Sequence, residues 1–337
     1  MTTAVTGVSG FIGAAIARRL EAEGRPVVGL TRQPAAAATL EGHGIRAVVG
    51  DLLDRSALRR VLAGCDVLYH AAGLVAFCLP DPRSLYQVNV GGTRSLLEAA
   101  VEAGIRRVIY TSSVVTIGEA PGTVAREETT HRGWYLSHYE RSKVEAERVA
   151  LSFRQKGIEV VCLNPSSVQG PGRLTGTAHF FLDYLNGRLP WFFGEWVSLC
   201  YLNDCVEGHV QAETRGRDGE RYILSSPPVR LTELLRHLGE ITGLSERPRR
   251  LPAALAWLAG VALEGWGHLA GSPPRLCREQ VRTILHGYRC DSSKAERELG
   301  LQFTPLAEAL RHTVRWYVQE GHVKRSLPMM PLRGADP

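Results

Sequence analysis

Short apolar runs alternate with longer helical patterns over the first half of the chain. The runs are rich in β-branched residues, and apolar residues in the segments between them recur at a helical spacing. Such alternation is typical of a parallel sheet covered by helices on both faces. After a first strand near the N-terminus, predicted strands span Pro26 to Leu30, Ile45 to Val49, Asp66 to His70, Arg107 to Ser112 and Ile158 to Leu163, with helices at Arg55 to Leu62, Arg83 to Ala103 and Trp134 to Arg154.

A glycine-rich turn joins the first predicted strand to the first helix. Gly7, Gly10 and Gly13 form the pattern G-x-x-G-x-x-G. In this setting the first glycine permits a tight turn, the second lets backbone approach a pyrophosphate, and the third lets the helix pack on the sheet. An anion is favoured at the helix N-terminus. The pattern predicts an α/β fold, a doubly wound Rossmann sheet that binds a dinucleotide.

The residues that follow each strand are the ones expected to face a ligand. Nucleotides bound to such sheets lie beyond the carboxyl ends of the strands. Here these positions carry small or polar residues, namely Asp51, Ala71, Ala72, Gly73, Thr111, Ser112, Ser113, Asn164, Pro165, Ser166, Ser167 and Val168.

One of only four lysines in the chain follows Tyr139 by four residues. On a helix this spacing places the Tyr139 phenol and the Lys143 ammonium side by side. A nearby cation favours the phenolate, so we expect the pKa of Tyr139 to fall toward neutral pH. Such a pair suits proton transfer between a carbonyl and an alcohol.

The second strand ends where sites that prefer NAD usually offer an acid to the ribose. The residues here are Thr31, Arg32 and Gln33. The guanidinium of Arg32 matches the geometry and charge of a 2′-phosphate. We therefore predict NADPH (NADP) as the cofactor in preference to NAD.

Several motifs in this order resemble those of the extended short-chain dehydrogenase/reductases, within the branch of dihydroflavonol reductases and 3β-hydroxysteroid dehydrogenases. The resemblance runs nearly end to end. It rests on TGVSGFIG, GDLLD, YHAAG, VNVGGT, YTSS, YERSK, NPSSVQGPG and DSSKAERELG.

The resemblance implies a role for each matching residue. Ser113 would hydrogen-bond the substrate carbonyl, Tyr139 would deliver the proton, and Lys143 would hold the nicotinamide ribose and lower the pKa of the tyrosine. Motif alignment alone selects Ser113 over Ser112. The implied cofactor contacts are Gly10, Phe11 and Ile12 at the pyrophosphate, Asp51 and Leu52 at the adenine, Ala71 to Gly73 near the adenosine ribose, and Pro165 to Val168 at the nicotinamide amide.

Relatives of this fold include nucleotide-sugar epimerases and dehydratases. Val114, Val115 and Thr116 follow the serines, where dehydratases tend to carry an Asp-Glu pair. Val197 stands where nucleotide-sugar enzymes often place an arginine, although Arg173, Arg275 or Arg278 could replace it. We favour a reductase, with an epimerase and a non-catalytic dinucleotide sensor as alternatives.

The expected substrate is a small hydrophobic ketone, aldehyde or secondary alcohol. Aromatic residues cluster in a span that suits an apolar pocket or core packing, namely Phe180, Phe181, Tyr184, Trp191, Phe192, Phe193 and Trp196. The alternation of strands and helices weakens after about Pro165. We expect residues 1–165 to form the nucleotide domain, rejoined by 197–224, with residues 166–196 and 225–325 forming a smaller, mostly helical substrate lobe and 326–337 a loose tail.

Charge and cysteine content limit the remaining function classes. The net charge of +6 comes from scattered basic residues, which argues against nucleic-acid binding. Seven cysteines without C-x-x-C spacing indicate neither a disulfide framework nor a zinc site, so we expect no metal and mostly reduced, packed thiols. The glycine turn begins at residue 7, leaving no room for a presequence, and a cytoplasmic location is expected.

Two surfaces are candidates for association. The apolar run from Leu251 to Ala270 is interrupted by Glu264 and His268, so we expect a buried or lid helix instead of a membrane span. The preceding arginines leave association with a membrane surface as an alternative. The resemblance implies a homodimer through the helices at Arg83 to Ala103 and Trp134 to Arg154.

Overall fold

The computed structural model of the protein describes residues 1–329, without residues 273 and 275 and without the side chain of His268. Of the tail expected at 326–337, residues 330–337 lie outside the described part.

Seven parallel strands form the central sheet, in the order β3-β2-β1-β4-β5-β6-β11. They are β1 (Thr3–Thr6), β2 (Val27–Thr31), β3 (Arg46–Val49), β4 (Val67–His70), β5 (Arg107–Thr111), β6 (Glu159–Pro165) and β11 (Arg221–Leu224). Three two-stranded sheets are formed by β7 (Ser167–Gln169) with β10 (Leu199–Tyr201), β9 (Trp196–Val197) with β12 (Val229–Arg230), and β8 (Trp191–Phe192) with β13 (Arg249–Arg250). The sheet confirms the doubly wound Rossmann architecture.

Helices cover the central sheet and build most of the C-terminal part. They are α1 (Phe11–Ala22), α2 (Pro34–Gly42), α3 (Arg55–Leu62), α4 (Arg83–Tyr86), α5 (Thr93–Glu102), α6 (His138–Ser152), α7 (Ala178–Leu185), α8 (Leu202–Arg215), α9 (Leu231–Thr242), α10 (Ala253–Leu269), α11 (Arg278–His286), α12 (Ser293–Leu299) and α13 (Leu306–Gln319). None of the helices in the described part of the chain has both the length and the apolar content needed to cross a bilayer.

The strand order reverses at β1, which pairs with β2 on one side and β4 on the other. Thr3 lies beside both Val27 and Val67 in the register. Two apolar cores fill the space between the sheet and the helices on its two faces. In doubly wound sheets the crevice at this reversal is where ligands bind, so it points to the site.

Two predicted helices differ from the observed ones. The helix predicted at Arg83 to Ala103 contains a π-helical segment, Gln87–Gly92, between α4 and α5. The helix predicted from Trp134 starts at His138, because the Ser137 hydroxyl accepts a hydrogen bond from the Glu140 N–H at 3.1 Å and so caps the first turn.

The C-terminal part has a third apolar core, formed by α7, α9 and α13. β11 joins the main sheet beside β6. The division into two lobes at the predicted boundaries stays a prediction.

The cysteine prediction was wrong for one pair. Cys78 and Cys277 form a disulfide across 199 residues of sequence. The absence of local C-x-x-C spacing could not reveal it, because only the fold brings these positions together. The remaining cysteines, Cys65, Cys162, Cys200, Cys205 and Cys290, are free and buried, as expected.

The close packing of Gly13 against Gly7 can be tested by adding a side chain at Gly13. A Cβ at Gly13 would lie 2.2 Å from the Gly7 carbonyl oxygen, so one of the two backbone segments must move. We expect Gly13→Ala to lower the free energy of unfolding by about 1 to 3 kcal/mol, as overpacking does, and to weaken dinucleotide binding. Urea unfolding and cofactor titration measure both quantities.

Gly42→Ala is the matched control. Gly42 ends α2, and a Cβ there meets nothing within 4 Å. This variant should be as stable as the parent or more stable, since alanine is the better helix former. Equal stability of the two variants would contradict the packing argument.

Candidate active site

The glycine turn meets the segment after β4 at very short range. Gly7 has a φ of 70°, and a Cβ there would lie 2.7 Å from the Ala72 backbone nitrogen. The Gly10 N–H donates to the Gly7 carbonyl at 2.8 Å, and Gly10 caps α1. The structure therefore brings together two predicted cofactor segments, and leaves the α1 N-terminus open for an anion.

Tyr139 lies on the first turn of α6, against the end of β5. It is buried, and its phenol is within hydrogen-bonding reach of the Ser113 hydroxyl. Ser112 is occupied elsewhere, since its hydroxyl donates to Glu147. The structure thus favours Ser113 over Ser112 as the partner of Tyr139.

Lys143 lies one turn further along α6 and is buried. Its ammonium donates to the Thr111 carbonyl at 2.9 Å. Burial lowers its pKa to about 8, and the Glu147 carboxylate opposes that change. A Cβ on Gly73 would lie 3.9 Å from the Lys143 nitrogen, so the segment after β4 also reaches the lysine.

The pKa of Tyr139 contradicts the expected direction. Burial raises it above the ordinary value, while the hydrogen bond from Ser113 and the charge of Arg173 lower it less. The free energy needed to remove the phenolate from water is larger than the stabilisation that Ser113 and Arg173 give it. Tyr139 of the free protein therefore holds its proton at neutral pH, as a donor to a carbonyl must.

Sequence analysis missed Glu147, which organises the floor of the site. Its carboxylate accepts hydrogen bonds from Ser112, from the Thr116 hydroxyl at 2.9 Å and from the Asn164 amide at 2.7 Å. The Arg221 guanidinium lies 3.5 Å away. The signal was present, because Glu147 continues the four-residue spacing of Tyr139 and Lys143 on one helix face.

Asn89 of the VNVGGT motif, to which the sequence analysis assigned no role, links the π-helical segment to α6. Its amide donates to the Ser142 hydroxyl at 2.9 Å, which in turn donates to the Tyr139 carbonyl at 2.8 Å. Its side-chain oxygen accepts from the Leu74 N–H at 2.7 Å. Asn89 therefore ties the loop after β4 to the tyrosine's helix.

The remaining predicted cofactor residues lie at the same edge of the sheet. Ser166 is buried, and its hydroxyl has no hydrogen-bond partner among the described residues, an orphan that a bound amide would satisfy. Ser167 hydrogen-bonds Thr177 at 2.9 Å. The others are Phe11 and Ile12 at the start of α1, exposed Arg32 after β2, and half-buried Asp51 and buried Leu52 after β3. Pro165 is the last residue of β6, and Val168 lies in β7. A dinucleotide fits this set.

An apolar wall formed by the loop after β4 packs against Tyr139, and the sequence analysis did not predict it. The Phe77 ring lies edge-on to the Tyr139 ring, with centroids 5.5 Å apart. Leu74, Ala76 and Leu79 of the same loop pack on this cluster. Of the aromatic residues for which the sequence left a pocket or core packing open, Phe181, Tyr184 and Phe192 belong to the C-terminal core, where α7 packs with α9 and α13.

Comparisons with known proteins agree with the fold and the motifs. Residues 3–225 match the model of the NAD dependent epimerase/dehydratase family. A Synechocystis protein provisionally described as a dihydroflavonol 4-reductase is 34% identical, over 95% of each chain. Sterol demethylase protein B of Methylococcus capsulatus is 33% identical, over 96% of this chain and 100% of its own. The crystal structure of gox2253 superimposes with a TM-score of 0.83 at 32% identity, covering 96% and 99% of the two chains.

Burial has the largest effect on the pKa of Lys143, and the charge of Glu147 opposes it. Removing that charge in Glu147→Gln lowers the pKa of Lys143 further. If the ammonium is needed for turnover, the alkaline fall of kcat/KM, which starts near the Lys143 pKa of about 8, moves to lower pH. The activity lost on substitution should be larger at pH 8 than at pH 6.

Glu145→Gln provides the control for this pH profile. Glu145 lies on the same helix, but it pairs with Arg141 at 2.8 Å on the outer side. Its removal should leave the profile unchanged. A profile in Glu147→Gln that scales down equally at every pH would show that the carboxylate has only a structural role.

Proposed function

The chain belongs to the NAD dependent epimerase/dehydratase family and is an NAD(P)-dependent oxidoreductase, and from this premise we propose that it uses NADPH to reduce an apolar ketone or aldehyde. The observation that carries the proposal is the hydroxyl pair of Ser113 and Tyr139 beside buried Lys143, in a wall of apolar side chains.

The proposed reaction assigns one task to each side chain. A bound NADPH would supply hydride to the carbonyl carbon, which leaves negative charge on the carbonyl oxygen. Ser113 donates a hydrogen bond to that oxygen, and Tyr139 gives it a proton. Donors already aimed at the oxygen stabilise this charge more in the transition state than in the ground state. Lys143 would hold the cofactor ribose and stabilise the tyrosinate that remains.

The raised pKa of Tyr139 favours the reductive direction. A phenol that keeps its proton can deliver it to an alkoxide, whose conjugate acid is weaker still. The same burial disfavours the phenolate needed to oxidise an alcohol. Tyr139 of the free protein is therefore in the protonated form that reduction requires near neutral pH.

The apolar character of the substrate is inferred from the loop after β4. Phe77, Leu74 and Leu79 pack around Tyr139, and a charged or strongly hydrated substrate would lose hydration there without compensation. The names of two further relatives agree with an apolar group at the reacting carbonyl, although the coenzyme A part of one of these substrates is charged. They are cinnamoyl-CoA reductase 1 of Petunia hybrida, 26% identical, and a farnesyl-dihydroquinoline-oxide ketoreductase of Stigmatella aurantiaca, 29% identical.

A nucleotide-sugar epimerase is the second candidate. It is favoured by the structural likeness to dTDP-glucose 4,6-dehydratase of Streptomyces venezuelae, with a TM-score of 0.77 at 25% identity. A diphosphate needs cations, and Arg173 is half-buried near Tyr139, stacked 5.2 Å from the Phe11 ring. Arg275 lies outside the described residues and is not weighed. However, Arg278 is paired with Glu264, and Val197 offers no charge. These observations favour the reductase.

The preference for NADPH is inferred from the end of β2. Arg32 is exposed there, and no carboxylate lies within ion-pairing distance of it among the residues that the structure describes. Thr31 donates a hydrogen bond to Ser9 of the glycine turn at 3.1 Å, which fixes this end of β2 beside the turn. A 2′-phosphate would meet a cation at this place, and a 2′-hydroxyl would find no acid.

Assembly and location remain proposals. We infer a homodimer through the α5 and α6 face from the family resemblance. The predicted cytoplasmic location conflicts with the Cys78–Cys277 disulfide, since such bonds are typical of oxidising compartments. A thiol titration of protein taken directly from cells would decide between the two.

The central experiment follows NADPH absorbance against aromatic aldehydes, flavanonols, steroids and nucleotide sugars. We expect oxidation with an apolar carbonyl and none with sugars. Tyr139→Phe should lower kcat roughly 10²- to 10⁴-fold, as loss of a general acid does. Tyr135→Phe, on the loop before α6, is the control and should retain activity. Interconversion of a nucleotide sugar without net cofactor oxidation would establish the epimerase instead.

Cofactor preference is tested at Arg32. Arg32→Gln should raise KM for NADPH roughly 10-fold or more, since a hydrogen bond to a charged group contributes about 1.5 to 3 kcal/mol. KM for NADH should hardly change. Arg311→Gln, which removes an exposed arginine from α13, controls for net charge. Equal effects on both cofactors would contradict this role of Arg32.

A further inference from the structure

Helix α10 presents its large apolar side chains to solvent. The side chains that we call the α10 face are exposed, from Trp257 at 37% to Trp266 at 69% and Leu269 at 86%. Water-soluble helices normally bury such residues and expose polar ones. The α10 face consists of Leu255, Trp257, Leu258, Val261, Leu263, Trp266 and Leu269.

Small residues attach α10 to the rest of the protein. Ala256, Gly260 and Gly267 are the buried positions among the described side chains of this helix. A Cβ on Gly260 would lie 2.9 Å from the Val281 side chain of α11, so the two helices are close. The inner side of α10 is thus packed against α11 through small residues. The large apolar residues on its outer side have no such packing among the described residues and are available to an apolar partner.

Among the described residues, unpaired positive charges lie before the N-terminal end of the α10 face. Glu264 is the only Asp, Glu, Lys or Arg in the helix, and it pairs with Arg278 at 2.9 Å. Arg247 and Arg249 lie just before the helix, are exposed, and have no carboxylate within ion-pairing distance in the described part of the chain. A cationic rim beside an apolar face complements an anionic phospholipid surface.

Trp191 extends this surface across the neighbouring strand. It pairs with Arg249 in the β8–β13 register, is 47% exposed, and lies 5.9 Å from the Arg249 guanidinium. Together with Trp257 and Trp266 of the α10 face, it gives this surface three exposed indoles. Tryptophan prefers the boundary between the headgroups and the acyl chains.

We propose that the α10 face docks onto the surface of a bilayer that contains anionic phospholipid, with the helix lying in the interface and the arginines at the headgroups. A helix of 17 residues is too short to span and long enough to lie flat. A second copy of the chain fits less well. If two α10 faces met, Arg247 and Arg249 would approach a face whose only acidic residue, Glu264, is already paired with Arg278.

Docking would bring the bilayer close to the proposed site. Gly260 packs on the backbone of Cys277, where a Cβ would lie 3.5 Å away. Cys277 is joined by the disulfide to Cys78, which is the neighbour of Phe77 on the Tyr139 ring. An apolar substrate dissolved in lipid would have a short route to Tyr139. This consequence rests on the proposed function, whereas docking itself does not.

Vesicle flotation of the full-length protein tests the proposal, with a readout independent of turnover. Vesicles of phosphatidylcholine and phosphatidylglycerol in equal parts should carry the protein upward in a density gradient. Leu258→Glu/Trp266→Glu should abolish flotation, while Val124→Glu, which adds the same kind of charge at an exposed apolar residue elsewhere, should leave it intact. Thermal unfolding and cofactor titration verify that each variant is folded.

A second pair of variants separates the apolar and charged contributions. Arg247→Gln/Arg249→Gln should weaken binding to the mixed vesicles roughly tenfold, and binding to phosphatidylcholine alone should change little. The proposal is overturned if the parent protein floats with neither vesicle, or if Leu258→Glu/Trp266→Glu floats like the parent. It is overturned as well if sedimentation shows a dimer that this variant dissociates and no vesicle binds.

Discussion

The burial of one ammonium group is the constraint on which the site depends. Lys143 lies inside the protein with a hydrogen bond to the Thr111 carbonyl, and burial brings its pKa down to about 8. A buried cation is tolerated only when polar groups and opposite charge lie nearby. Glu147 supplies that charge, and three polar side chains and Arg221 in turn hold Glu147. The floor of the cleft is therefore one connected network.

The same burial acts on Tyr139 with the opposite result. Because desolvation disfavours whichever form carries charge, it lowers the pKa of the lysine and raises that of the tyrosine. Tyr139 and Lys143 lie one turn apart on α6, and at neutral pH the tyrosine is protonated while the lysine is close to its pKa of about 8. This arrangement suits a proton donor more than a proton acceptor, which is why the proposed chemistry is reductive.

The fold contributes by bringing distant segments to one edge of the sheet. The reversal of strand order at β1 opens a crevice between the glycine turn and the segment after β4. The two backbones approach so closely there that a Cβ on Gly7 would lie 2.7 Å from the Ala72 nitrogen, which leaves room for glycine alone. The loop after β4 also carries Phe77 to Tyr139 and Cys78 to Cys277. One loop therefore connects the cofactor crevice, the apolar wall and the helix pair of α10 and α11.

Sequence patterns were sufficient to predict the Rossmann sheet, the glycine turn and the placement of Tyr139 and Lys143 one turn apart, because each depends on local periodicity or on a spacing within one helix. The folded chain was needed to show the direction of the Tyr139 pKa, the hydrogen bond of Ser112 to Glu147, the Cys78–Cys277 disulfide and the exposure of the α10 face. These properties depend on what surrounds a residue after folding. Desolvation and contacts between segments as far as 199 residues apart leave no trace in local sequence patterns.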